Sequence, residues 1–154
     1  MTLDEILMVW LDRINLVVND FVKTIDIDYH SKAGLDFYAD LTDNAVVWSI
    51  VYADEAGEAF YNNFIKRYPI AKELSYFTLS ILHEIGHLET EWEMVDDIEE
   101  RNSNLTNEQY FNLYNEKIAT DWAGTWIEDN FSAVRIVDKK LNKILNQFYK
   151  EVLD

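Results

Sequence analysis

The stretch LSILHEIGHLET, residues 79–90, narrows what this chain can fold into more than any other. Two of the chain's three histidines, His83 and His87, lie in it four residues apart, with Glu84 directly after the first. An α-helix turns ~100° per residue, so the two imidazoles differ by ~40° and share one face. Tyr76 and Ser80 fall on that face, whereas Leu74, Thr78, Ile81, Ile85 and Leu88 fall on the opposite one. The pattern predicts a helix over 71–90, starting just past the chain's single proline, Pro69. Such a helix would pack a core behind it and open to a cleft in front.

The chain has no cysteine, so any metal must be held by His, Asp or Glu. Imidazoles at i and i+4 can both reach one tetrahedral zinc. The Glu of an H-E-x-x-H pattern then stands beside the metal's water as general base. Here those residues are His83, Glu84 and His87. The competing reading is a solvated helix face with two surface histidines.

A catalytic zinc takes three protein ligands and keeps one position open. With no further histidine nearby, the third must be a carboxylate or the distant His30. The carboxylate expected to serve is Glu116, in YNEKIATDWAGTWIEDN, on the next long helix. Gln109, Asn112, Ala119, Thr120, Ala123 and Ile127 share its face. Ala119 and Ala123 are small, so this helix can come close to the motif helix at Gly86. A glycine inside a helix costs about 1 kcal/mol against alanine, which makes sense where another backbone must approach. Asp121 is the main rival, as a ligand or as a partner of a ligand histidine. Glu89, Glu91 and Glu93 follow His87 too closely and point elsewhere.

HEIGH, followed by Glu116-x-x-Ala119-x-x-Trp122-Ala123, resembles the zincin-like metallopeptidases, and within them the ImmA/IrrE type. The resemblance covers mainly residues 71–127. It implies a compact fold of helices around a small sheet, zinc as cofactor and peptide-bond hydrolysis. Members of that type are often intracellular and carried by prophages or mobile elements, and several cleave DNA-binding repressors. Two features depart from the pattern. The aromatic-Thr-Leu run of YFTLSILHEIGH lies further from the first histidine than in many members. Where the large gluzincin families place Asp four residues after the glutamate ligand, this chain has Thr120.

The rest of the chain fits one domain over 1–154, of α+β class: a mostly helical zincin-like domain with a two- or three-stranded sheet ahead of the motif helix. Thr2 and Glu5 form a capping-box pattern opening a helix over 3–23. Residues 35–41 and 45–53 are rich in β-branched and aromatic side chains and predict two strands joined by a turn, with 24–30 as a third. The strand at 45–53 precedes the motif helix as the substrate-aligning edge strand of zincins does; a purely structural sheet is the equal alternative. Residues 55–68 predict a helix with Phe60, Phe64 and Tyr68 on one side, and 91–104 a partly helical connection. Thr106 and Gln109 form a second capping-box pattern, opening a helix to about residue 129, and Ser132 caps a last one.

The net charge of −16 disfavours nucleic acid and anionic membranes as direct partners and favours a basic protein, such as a DNA-binding one. The same acidity also serves solubility alone. The acidic N-terminus does not read as a signal peptide, and a soluble, cytoplasmic protein is expected. The leading function is therefore a zinc metallopeptidase acting on a protein or peptide. Two others stay open: a non-enzymatic acidic binding protein with a vestigial site, and a zinc hydrolase of a non-peptide substrate. For the oxyanion, Tyr76, Tyr110 and Tyr114 are the candidate donors.

Overall fold

In a computed structural model, the described residues are 5, 24–28, 35–40, 45–50 and 55–152. Three short strands come first: β1 (Thr24–Asp28), β2 (Leu35–Asp40) and β3 (Ala45–Ile50). Their order is β1-β3-β2. β3 pairs in parallel with β1, Thr24 opposite Ala45, and antiparallel with β2, Leu35 opposite Ile50. The strand expected to align a substrate is therefore the central one. Its backbone groups face β1 and β2 on either side and are not open to an added peptide. The helix expected over 3–23 lies outside the described residues, apart from Glu5, which is helical.

From residue 55 to 152 no strand occurs, and most residues of this stretch are helical; this corrects the α+β class expected from the sequence. The reason is visible in the apolar spacing, which recurs every three to four residues in the long helices of this stretch. The helices are α1 (Glu55–Arg67), α2 (Tyr76–Glu89), α3 (Ile98–Arg101), α4 (Asn107–Phe111) and α5 (Tyr114–Val152). None of the described helices is long and apolar enough to cross a membrane.

The core is where α1, α2 and α5 meet. Phe64 of α1, Leu79, Ile81, Leu82 and Ile85 of α2, and Ile127 of α5 are fully buried. Eleven of the fourteen residues of α2 are buried, so this helix is enclosed on nearly every side. The expected apolar back is present, but the histidine face does not open to solvent as expected.

The start of α2 is fixed by two local and one distant device. A 3-10 turn, Pro69–Glu73, leads in with Pro at its first position, where a missing N–H costs nothing. Ser75 is the N-cap, its hydroxyl accepting from the Thr78 N–H at 3.4 Å. Asp138, buried in the second half of α5, then accepts from the Ser75 hydroxyl at 2.6 Å, the Thr78 hydroxyl at 2.5 Å and the Ser75 N–H at 3.2 Å. A buried carboxylate needs such donors, and here they tie the beginning of the motif helix to the far end of the chain.

Two boundaries differ from expectation. The Thr106–Gln109 capping box forms in both directions, yet its helix ends at Phe111, and a new helix starts at Tyr114. Gln109 and Asn112 therefore do not extend the face of Glu116. The later break lies at Asn130, whose backbone leaves the helical region (φ −128°, ψ 22°), rather than at Ser132. The Asn130 side chain donates to the Trp126 carbonyl at 2.9 Å, the local bonding by which Asn competes with a helix.

Candidate metal centre

α2 and α5 cross where the sequence has Gly86 and Ala119. A Cβ on Gly86 would run into the carbonyl oxygen of Ala119 and stand 3.1 Å from its Cα. The close approach expected from the two small residues is thus present. Glu116 lies one turn before Ala119 and His83 and His87 flank Gly86, so the crossing brings the three side chains together. One ligand atom from each of His83, His87 and Glu116 lies within 4.8 Å of the others. His83 Nε2 is 3.3 Å from Glu116 Oε1, and His87 Nε2 is 2.9 Å from Glu116 Oε2. The three residues are 2%, 9% and 4% exposed, respectively.

The donor chemistry fits a cation. The Thr120 hydroxyl lies 3.0 Å from His83 Nδ1. A proton on Nδ1 directed at that oxygen leaves the Nε2 lone pair facing Glu116, as metal ligation requires. Burial holds His83 below its usual pKa, which keeps the ring neutral. Burial alone would raise the Glu116 pKa, but the adjoining His83 and His87 imidazoles outweigh it and hold the carboxyl well below the usual carboxylate range. Buried imidazole nitrogens converging on an ionised carboxylate form a group that can hold a metal ion. Thr120, four residues after Glu116, can accept a hydrogen bond from His83 Nδ1 with its hydroxyl. Thr120→Val keeps the shape and removes that partner. It is expected to weaken metal affinity by about 10–100-fold, measured by competition with a chromogenic chelator.

Glu84 sits beside the cluster on α2, half-buried and outside the three-ligand group. Asp121, the rival ligand, is engaged elsewhere: it accepts from Arg67 and from the Tyr68 hydroxyl, the latter at 2.8 Å. His30 lies outside the described residues. Of the three tyrosines, Tyr76 packs edge-on against Phe60 and Tyr114 is exposed, whereas Tyr110 belongs to the site.

Sequence reasoning missed Arg101. Its Nη2 donates to Glu116 Oε2 at 2.9 Å, its Nη1 to the Tyr110 hydroxyl at 3.2 Å and its Nε to Asp97 Oδ1 at 2.8 Å. The guanidinium carbon stands 5.5 Å from the Tyr110 ring centre. A signal existed, since Arg101 is the only Lys or Arg between Lys72 and Lys117. The connection carrying it is anchored by buried Asn115, whose amide donates to the Val95 carbonyl at 2.8 Å and accepts from the Val95 N–H at 3.0 Å. Burial, more than any other cause, pushes the Tyr110 pKa up to about 12, so its phenol keeps its proton.

In comparisons with known proteins, no protein-family model, no curated protein and no solved structure matches the chain.

Proposed function

We propose that this chain is a zinc-dependent metallopeptidase of the zincin-like, ImmA/IrrE kind, acting in the cytoplasm on a protein or peptide. The observation that carries the reading is the buried meeting of His83, His87 and Glu116, with Glu84 next to it on the same helix. His83, His87 and Glu116 would hold the ion. When bound, zinc would polarise a peptide carbonyl and lower the pKa of a water toward 7. The Glu84 carboxylate would take that water's proton and pass it to the leaving amine. The Tyr110 hydroxyl accepts from Arg101, which leaves its own proton free to donate toward charge developing on the substrate oxygen.

The surface next to the site supports a protein substrate. Among the described residues, four of the five exposed large hydrophobic side chains, Trp92, Val95, Ile98 and Tyr114, lie on the segment between α2 and the start of α5. Residues 89–114 also carry eight acidic residues against Arg101 alone. Apolar side chains set among an excess of acids suit a basic segment, such as one from a DNA-binding repressor.

The burial of the three ligands favours a second reading, a metal that ties α2 to α5 without turnover. Glu84→Gln separates the two. It is expected to keep the metal and to lose cleavage of a basic peptide library by about 100-fold or more, on the scale of a general base's contribution. Cleavage undiminished in this variant would remove Glu84 from the mechanism, and wild-type protein that is metal-loaded and inert toward the library would favour the second reading.

A further inference from the structure

We propose that Arg101 is a positioning residue that restricts Glu116 to one metal-binding oxygen. The inference rests on the metal site proposed above and concerns how its carboxylate is presented.

A carboxylate can meet a metal through one oxygen or both. For a small ion with two imidazole ligands, the difference decides whether a coordination position stays open for water. The two oxygens of Glu116 stand in different surroundings. Oε1 faces His83 Nε2 at 3.3 Å, and Oε2 faces His87 Nε2 at 2.9 Å. Oε2 is also held by the Arg101 guanidinium at 2.9 Å, in a charge-assisted hydrogen bond. A lone pair committed to that bond, with a positive group behind it, makes Oε2 the poorer metal donor.

The guanidinium is itself tightly placed. Asp97 Oδ1 accepts from its Nε at 2.8 Å, one helical turn away. The Tyr110 hydroxyl accepts from its Nη1, and its carbon lies near that ring. Two residues, Asp97 and Tyr110, therefore fix the planar fork, and its Nη2 edge is presented to Glu116. The Asp97 carboxylate orders the guanidinium and offsets part of its charge.

Cobalt(II) tests this, because its visible absorption is stronger in four-coordinate than in five- or six-coordinate sites. Metal-free wild type, R101Q, R101K and D97N would be titrated with cobalt(II), with folding checked by far-ultraviolet circular dichroism. Wild type is expected to show the intense four-coordinate spectrum. In R101Q both oxygens of Glu116 become free to bind, so the absorption per bound cobalt is expected to fall several-fold. R101K keeps a cation for Oε2 and is expected to stay close to wild type. D97N loosens Arg101 without touching a ligand and is expected to move part of the way toward R101Q; it carries the test if R101Q does not fold. Variants that bind cobalt with the wild-type spectrum would overturn the role of Arg101 and leave the metal site standing. Wild type that binds no cobalt would overturn the metal site itself, and this inference with it.

Discussion

A Glu116→Ala variant is expected to lose its metal. The substitution leaves two imidazoles, one ligand short of the set that a catalytic zinc takes from its protein. It also removes the only negative charge in the three-ligand group and leaves the Arg101 guanidinium, formerly balanced in part by Glu116, beside the vacated place. An entering cation would then meet a positive charge where it had met a carboxylate. Loss of an outer partner of a ligand costs about 10–100-fold in affinity, so loss of the ligand itself should exceed about 100-fold. Chelator competition measures this directly. Metal held by Glu116→Ala as tightly as by wild type would show that another group, such as His30 or Asp121, supplies the third ligand.

The largest effect on stability is expected from Gly86→Val. The new side chain would be driven into the backbone of Ala119, and a backbone cannot rotate aside as a flexible side chain can. Overpacking of this kind costs about 1–3 kcal/mol and occasionally more, and a β-branched residue against a carbonyl belongs at the upper end. The gain in helix propensity over glycine, well under about 1 kcal/mol, does not offset it. Moving α5 away also withdraws Glu116, one turn from the contact, so metal binding should fall together with stability. Urea unfolding measures the first effect and chelator competition the second. A variant within about 0.5 kcal/mol of wild type would mean that the two helices do not meet at Gly86.

These two sites show what the sequence could reveal. The meeting of His83, His87 and Glu116 was legible because helical spacing fixes the relation of the histidines and because Gly86 and Ala119 announce a close crossing. Arg101 and Asp138 were not read, although each holds a part of the site in place. Both act through hydrogen bonds to residues distant in the chain, and such bonds leave no period in the sequence. Asp138 bonds residues 60 and 63 positions before it. The openness of the histidine face was misjudged for a related reason. Periodicity separates apolar from polar positions on α2, but the polar side is covered by α5, and only tertiary packing shows that. The ends of helices were the least legible feature. A complete capping box at Thr106 starts a helix without setting how far it runs. The class differs from the α+β expectation because the strands ahead of residue 55 are three and short, whereas the core that forms the site is helical throughout.

The most direct test of the account is the metal content of the wild-type protein, measured by elemental analysis after zinc loading and exhaustive dialysis. About one zinc per chain is expected, the stoichiometry of a single site with three protein ligands. A chain that retains none under these conditions would contradict the metal centre and the peptidase function built on it.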